Sequence, residues 1–144
     1  MLTLNQILKK FEEIQTEHAQ LNSFYFGDYA SIGSGLTYPI MGCDLLPGNL
    51  EKGIVTTKFA IFFADMVVDD TWNKNDILSD MQLVALDVYA QIWEYFERNG
   101  IELSKDTPLG DFTERWDDSA FGWQMELTIN QFYSRDTCQV PLKN

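Results

Sequence analysis

Carboxylates are the residues of this sequence best suited to chemistry, and the first group of them surrounds Trp72. These residues are Asp65, Asp69, Asp70, Asn73 and Asp76. Oxygen ligands at alternating positions resemble a calcium-binding loop, but the central glycine and terminal bidentate glutamate of such a loop are missing. A strand-to-helix turn rich in capping acids explains the same residues. We therefore predict no metal ligands, with a cation near residues 69–76 as the alternative.

A second group of carboxylates lies near the C-terminal third of the chain. It consists of Asp111, Glu114, Asp117 and Asp118. Carboxylates of this kind hold Mg²⁺ in some nucleases, but the lysine that usually accompanies them is not placed among these residues. In a strand, Glu114 and Arg115 point to opposite faces. A carboxylate-metal enzyme is therefore only the third hypothesis for this chain.

Nucleophilic catalysis has little support. The single histidine, His18, lies at the end of an amphipathic segment without a nucleophile beside it, so we expect a half-buried side chain bonded to a neighbouring loop. Cys43 and Cys138 are too few for a disulfide framework or zinc site, and we expect reduced, partly buried thiols. Residues 33–35 are turn residues and do not form a phosphate loop. We predict no enzyme, no cofactor and no catalytic residue.

The charge balance restricts the possible partners. The chain has 22 acidic and 10 basic residues, a net charge of −12 and a pI near 4.2. Binding to nucleic acid requires clustered basic residues, so a DNA-binding protein is disfavoured. An acidic surface suits a channel wall that DNA slides past, or a protein that imitates DNA. No apolar run approaches the roughly 20 residues that cross a bilayer, and residues 1–5 lack a signal-peptide pattern, so we expect a cytosolic protein that does not enter a membrane.

Two helices are predicted to carry these residues. The first begins at Thr3, where Gln6 completes a capping box. The second spans residues 75–99 and ends before Gly100. Its apolar residues at helical spacing are Ile77, Met81, Val84, Ala85, Val88, Ile92 and Phe96, widened by Leu78, Leu86, Tyr89, Trp93 and Tyr95. Such a wide apolar surface predicts packing on the sheet with one flank and on another chain with the next.

The remaining pattern predicts strands. They are residues 37–43, 54–68, 111–117 and the clean alternation from Phe121. Both faces of 54–68 are apolar, which favours a central strand covered on its second side by another element or subunit. Residues 44–53 are predicted to be a protruding loop. The prediction is one α+β domain, 1–144, with an antiparallel four-stranded sheet, two helices on it, the order α-β-β-α-β-β, and a C-terminal arm at 134–144.

Several segments of the chain resemble one family of virion proteins. They are Phe24–Asp28, Tyr38–Met41, the strand end at 65–67 with Asn73 and Ile77–Asp80, Phe112–Asp118 with Gly122 and Trp123, and Cys138–Pro141. This pattern of aromatic and acidic residues resembles tail-completion, tail-terminator-like neck or tail ring proteins of tailed bacteriophages, particularly Bacteroides phages of the crAss-like group. The resemblance implies a tail-terminator-like fold, a closed ring and a position around the DNA channel of the virion. It implies no active site.

The functional expectation is therefore a structural ring subunit that joins head to tail or stacks between tail rings. Its partners would be other copies of itself, in six- or twelve-fold symmetry, and connector or other ring proteins. DNA would pass without specific binding, and assembly would take place in the host cytoplasm. The alternative is an acidic adaptor or DNA-mimic inhibitor that binds a basic partner. The predicted interface residues are Leu45, Leu46, Leu50, Trp72, Tyr95 and Val140.

Overall fold

The structure is a computed structural model that describes residues 1–27, 36–66, 74–115, 120–135 and 137–143. These residues form two α-helices, six strands and one short 3₁₀ turn. In chain order they are α1 (Leu4–Glu17), β1 (Ser23–Phe26), β2 (Ile40–Glu51), β3 (Ile54–Met66), α2 (Lys74–Arg98), β4 (Glu102–Leu103), β5 (Leu109–Arg115), β6 (Ala120–Phe132) and the 3₁₀ turn Thr137–Gln139.

The strands form one mixed sheet in the order β1-β2-β3-β6-β4. The long strands β2, β3 and β6 are antiparallel, whereas β1 runs parallel to β2, with Phe24 opposite Met41. β4 pairs with the end of β6 at Ile129 and Asn130, and β5 pairs with its beginning. Because β3 occupies the other side of β6 throughout, β4 and β5 together form a broken edge strand.

The predicted four-stranded antiparallel sheet, its element order and the tail-terminator-like fold are therefore wrong. β1 was missed because a four-residue strand in parallel pairing depends on its neighbour more than on its own pattern. β4 is only two residues long. Residues 44–51 are not a loop but continue β2, with a bulge between Leu46 and Asn49. Pro47 has no N–H for the ladder and lies within this bulge, and the chain turns only at Lys52 and Gly53.

Both predicted helices are confirmed. At the start of α1, Thr3 Oγ1 accepts from the Gln6 amide at 3.3 Å, and Gln6 Oε1 accepts from the Thr3 amide at 2.8 Å. This is the predicted capping box, which satisfies two helix-end donors. α2 ends before Gly100, whose φ of +68° is the left-handed conformation that glycine adopts without strain.

The main core lies between the helices and one face of the sheet. Phe11 of α1 packs edge-on against Phe59 of β3 and Phe96 of α2, with ring centroids 5.3 and 6.4 Å apart. All seven residues of the predicted α2 stripe are buried. The predicted inward side of β6 is confirmed as well, and its buried members are Phe121, Met125, Leu127 and Ile129.

The second face of the sheet is covered in part. Its buried residues are Ile40, Phe62, Ala64, Phe112 and Ala120, with Tyr25, Leu36 and Tyr38 packed against them. The prediction that both faces of β3 are apolar is thus confirmed, and residues of the same chain cover the second face here. Exposed apolar surface that another chain could cover therefore lies elsewhere on the molecule.

Candidate assembly surfaces

The outer face of α2 carries three large exposed apolar side chains. Leu83, Leu86 and Trp93 are 59%, 54% and 51% exposed, and Ala90 lies between them. The four residues follow the spacing i, i+3, i+7, i+10, which places them on one line of the helix, opposite its buried stripe. We call Leu83, Leu86, Ala90 and Trp93 the outer stripe. Its spacing is that of a helical interface.

A row of carboxylates borders the outer stripe on the side toward α1. Its members, all exposed, are Asp76, Asp80, Asp87 and Glu94, which we call the acidic row. Asp87 Oδ2 lies 3.1 Å from His18 Nε2, and Glu94 pairs with Arg98 one turn later. These exposed pairs leave the flank with more negative than positive charge. The outer stripe therefore favours a partner that is apolar along its centre and basic along one edge.

A cleft adjoins the other side of the outer stripe. It lies between α2 and the connection at residues 105–109, and has a volume of about 460 Å³. Leu86 belongs to both the stripe and the cleft, while Tyr89, Leu109 and Met125 supply further apolar wall. The cleft and the stripe therefore form one continuous surface that can accept a side chain at its centre.

The β2–β3 hairpin carries a second apolar surface. Leu45 and Leu50 are 44% and 70% exposed, whereas Leu46 is half-buried. All three predicted leucines line one shallow groove together with Gly48 and Val55. We call Leu45, Leu50 and this groove the hairpin surface. The structure thus brings these predicted interface residues together, although on a strand and not on a loop.

The other predicted interface residues have different surroundings. Tyr95 is half-buried in its own chain, beside Phe96 and with Lys10 Nζ 5.1 Å from its ring centroid, which is a cation–π contact. Trp72 lies outside the described residues. Val140 is 46% exposed in the C-terminal arm, where Leu142 is 79% exposed.

The arm leaves the domain beside the hairpin turn. The Tyr133 amide donates to the Gly53 carbonyl and the Tyr133 hydroxyl to the Glu51 carbonyl, both at 3.0 Å. These bonds fix the base of the arm to the hairpin. Beyond them, the arm exposes Val140 and Leu142 to solvent.

His18 has a structural role in the fold. It caps the C-terminus of α1, and its Nδ1 accepts from the Gln20 amide at 3.1 Å. The predicted half-buried histidine bonded to a neighbouring loop is confirmed. Because Nδ1 is an acceptor, Nε2 carries the proton and donates to Asp87. This contact joins α1 to α2, which the sequence pattern did not indicate.

Two further titratable groups of the described residues, Cys43 and Asp65, are buried enough to shift their pKa values. Burial raises the pKa of the Cys43 thiol, and nearby Asp44 raises it further, so this thiol stays protonated. Cys138 is exposed, so the expectation of partial burial is wrong for both thiols. Burial also raises the pKa of Asp65, with a smaller contribution from Asp80, while a hydrogen bond from the Met66 amide opposes the shift.

The two predicted clusters of carboxylates are only partly covered by the described residues. Asp65 ends β3, Asp76 begins α2 and Asp111 is exposed on β5. The carboxylates of Asp69, Asp70, Glu114, Asp117 and Asp118, and Asn73 with them, lie outside what the structure describes. Among the side chains that it does describe, no group of three His, Cys, Asp or Glu residues could hold a metal ion.

No protein-family model matches the chain, and no curated protein matches it. None of the helices described is both long enough and apolar enough to span a bilayer. The exposed surfaces are therefore the features of this molecule that bear on its function. Sequence reasoning included Leu86 and Trp93 in the wide stripe of α2 but missed Leu83 and Leu142. The signal that could have found Leu83 is its spacing to Leu86, Ala90 and Trp93.

Proposed function

We propose that this protein is a structural subunit that assembles with copies of itself into a closed ring in the neck or tail of a phage. The observation that carries the proposal is the outer stripe. The inner face of α2 is fully packed on the chain's own sheet, yet three large apolar side chains on the opposite face remain more than half exposed. Contiguous exposed apolar surface of this kind marks protein contacts.

The placement of the exposed surfaces supports a ring over a symmetric dimer. A ring is closed by heterologous contacts, in which one surface of a subunit meets a different surface of the next. The outer stripe lies on a helix, whereas the hairpin surface and the arm lie at the β2–β3 turn. The molecule therefore offers two unlike apolar surfaces, which is what heterologous assembly requires.

The phage location is supported by the resemblance of the aromatic and acidic motifs and by the charge. With −12 per subunit, a ring would repel DNA and would let it slide through without specific binding. The ring would have six- or twelve-fold symmetry. Connector or other ring proteins would lie above and below it. The proposal does not depend on the four-stranded tail-terminator-like fold, which the observed sheet excludes.

The test is the oligomeric state of the purified protein. Light scattering and negative-stain images should show rings for the wild type, and Leu83→Asp with Leu86→Asp should give a folded monomer. The control is Asn5→Asp with Thr16→Asp, which adds the same charge at exposed positions of α1. A wild type that stays monomeric at high concentration, or a double-leucine variant that still forms rings, contradicts the proposal.

The acidic row favours a second candidate, an acidic adaptor or DNA mimic that binds a basic protein. Four exposed carboxylates along one helix flank give a partner with lysine or arginine side chains a linear site. This candidate predicts a monomer or dimer that co-purifies with a basic protein and releases it in high salt. Ring formation in the absence of any other protein would exclude it as the main function.

A further inference from the structure

We infer that the C-terminal arm of one copy docks on the outer stripe and cleft of α2 in the next copy. The inference rests on the proposed ring and specifies which surfaces meet in it. Its occupant is a second copy of this chain, with Val140 and Leu142 as the apolar contacts. The arm and the α2 surface are complementary in hydrophobicity and in charge, and the cleft has room for an apolar side chain.

The arm has apolar side chains that its own chain leaves largely exposed. Leu142 is 79% and Val140 46% exposed, and Pro141 between them favours an extended backbone. Residues 134–143 can reach up to about 30 Å when extended. The arm begins at the bonds from Tyr133 to the hairpin turn, so it projects from a fixed point. It can therefore reach an adjacent subunit while its base stays in place.

The charges of the two surfaces are opposite. The arm carries Arg135 and Lys143 and only one acid, Asp136, in a chain whose overall charge is −12. The outer stripe is bordered by the acidic row. The hairpin surface is a poorer match for that row, because Asp44 and Glu51 balance Lys52 and Lys58 on the same hairpin. The arm has one net positive charge and therefore complements α2 better than the hairpin surface does.

Pairing of α2 with α2 of another copy is disfavoured by the same charges. A symmetric contact along the outer stripe would bring two acidic rows together, with Asp87 close to Asp87 of the other copy in an antiparallel arrangement. Like charges facing each other along a helical seam destabilise it. The stripe is therefore suited to an unlike segment and not to its own image.

The cleft supplies a place for an anchoring side chain. Its apolar wall of Leu86, Tyr89, Leu109 and Met125 is open to solvent beside the stripe, and its volume of about 460 Å³ exceeds what one leucine side chain fills. Lys105 and Asp106 stand at its rim. Leu142 would fill the cleft while Val140 lies on the outer stripe. One short segment would therefore cover both the cleft and the stripe.

The first experiment removes the apolar contacts from the full chain. Val140→Ser with Leu142→Ser should abolish assembly by light scattering and leave the thermal midpoint unchanged, because both side chains are exposed. The matched control is Leu4→Ser, an exposed leucine on α1, which should assemble like the wild type. If the arm variant forms rings as well as the wild type does, the arm inference is wrong while the ring proposal stands.

The second experiment measures the docking directly. A fluorescent peptide with the sequence of residues 134–144 is titrated with the full-length Val140→Ser, Leu142→Ser protein and followed by anisotropy. Leu86→Asp in that protein should weaken binding at least about tenfold, equivalent to 1.4 kcal/mol, and Asn5→Asp should not. Equal binding to both proteins, or no binding to either, overturns the inference. A monomeric wild type would instead contradict the ring itself.

Discussion

At the scale of single residues, Gly42 of β2 is a position without room for a side chain. A Cβ there would lie 1.8 Å from Cζ of the buried Phe62 ring. We expect Gly42→Ala to cost about 1 to 3 kcal/mol of unfolding free energy, since the ring has to move within a packed cluster. Urea denaturation measures this. Gly110→Ala is the control because a Cβ there meets nothing within 4 Å. Equal stability of Gly42→Ala and wild type would contradict the packing of Phe62.

Asp65 gives a second prediction at this scale, because burial raises its pKa in the folded state. A raised folded pKa means that protonation favours folding, so the ionised carboxylate lowers stability as pH rises through that pKa. Asp65→Asn should therefore stabilise the protein at pH 7 and have little effect below about pH 4, the usual pKa of aspartate. Thermal midpoints from pH 3 to 8 test this. The exposed Asp111→Asn serves as control, and a gain that is constant with pH would contradict the assignment.

At the scale of elements, Trp123 joins β6 to the first turns of α2. Its Nε1 donates to the Leu78 carbonyl at 2.7 Å, and its ring packs against the main core. Trp123→Ala should cost about 3 to 5 kcal/mol. Trp123→Phe keeps a six-membered aromatic ring but loses the hydrogen bond and part of the packed surface, so it should cost less, about 1 to 2 kcal/mol. Chemical denaturation separates the two, and equal losses would contradict the packing of the ring, because only Trp123→Ala removes it.

The elements that could be predicted from the sequence are those with a long periodic pattern. α1, α2, β3 and β6 each repeat their apolar spacing over ten or more residues, which fixes both type and inward face. The strand around Pro39 was predicted too short, since Pro47 and Gly48 mark a turn by local chemistry but occupy a bulge in the sheet. β1 and β4 are too short for a pattern of their own.

The candidate surfaces were predicted in part, for a related reason. Leu45, Leu50 and Val140 are exposed, as predicted. These residues lie outside the alternating apolar pattern of the strands, so that pattern does not place them in the core. Tyr95 is half-buried by its own chain, and one of its contacts comes from Lys10 on another element. Cross-element contacts of this kind leave no trace in local periodicity. The wide apolar surface of α2 was predicted from the sequence. The structure shows which of its residues face the core and which form the outer stripe.

At the scale of the whole molecule, the apolar residues divide into those buried in the chain's own core and those exposed to solvent. The second face of β3 is covered by the chain itself around Phe62 and Ala64, which removes that part of it as a contact surface. The outer stripe, the hairpin surface and the arm remain. Because the base of the arm is bonded to the hairpin turn, we expect the arm and the hairpin to face the same neighbour. In the proposed ring, one neighbour therefore receives the arm on its α2 and lies against the hairpin, while the other neighbour docks its own arm on the α2 of this subunit.

This arrangement predicts separable effects for the hairpin and the arm. Leu45→Asp with Leu50→Asp should leave the unfolding free energy within about 0.5 kcal/mol of wild type, as for exposed sites, because both leucines are substantially solvent-accessible. The variant should assemble more weakly by light scattering, since its carboxylates would be desolvated at the subunit contact. Binding of the arm peptide to its α2 should be unchanged, because the outer stripe is intact. A large loss of stability would instead place these leucines in the core, and unchanged assembly would remove the hairpin from the contact.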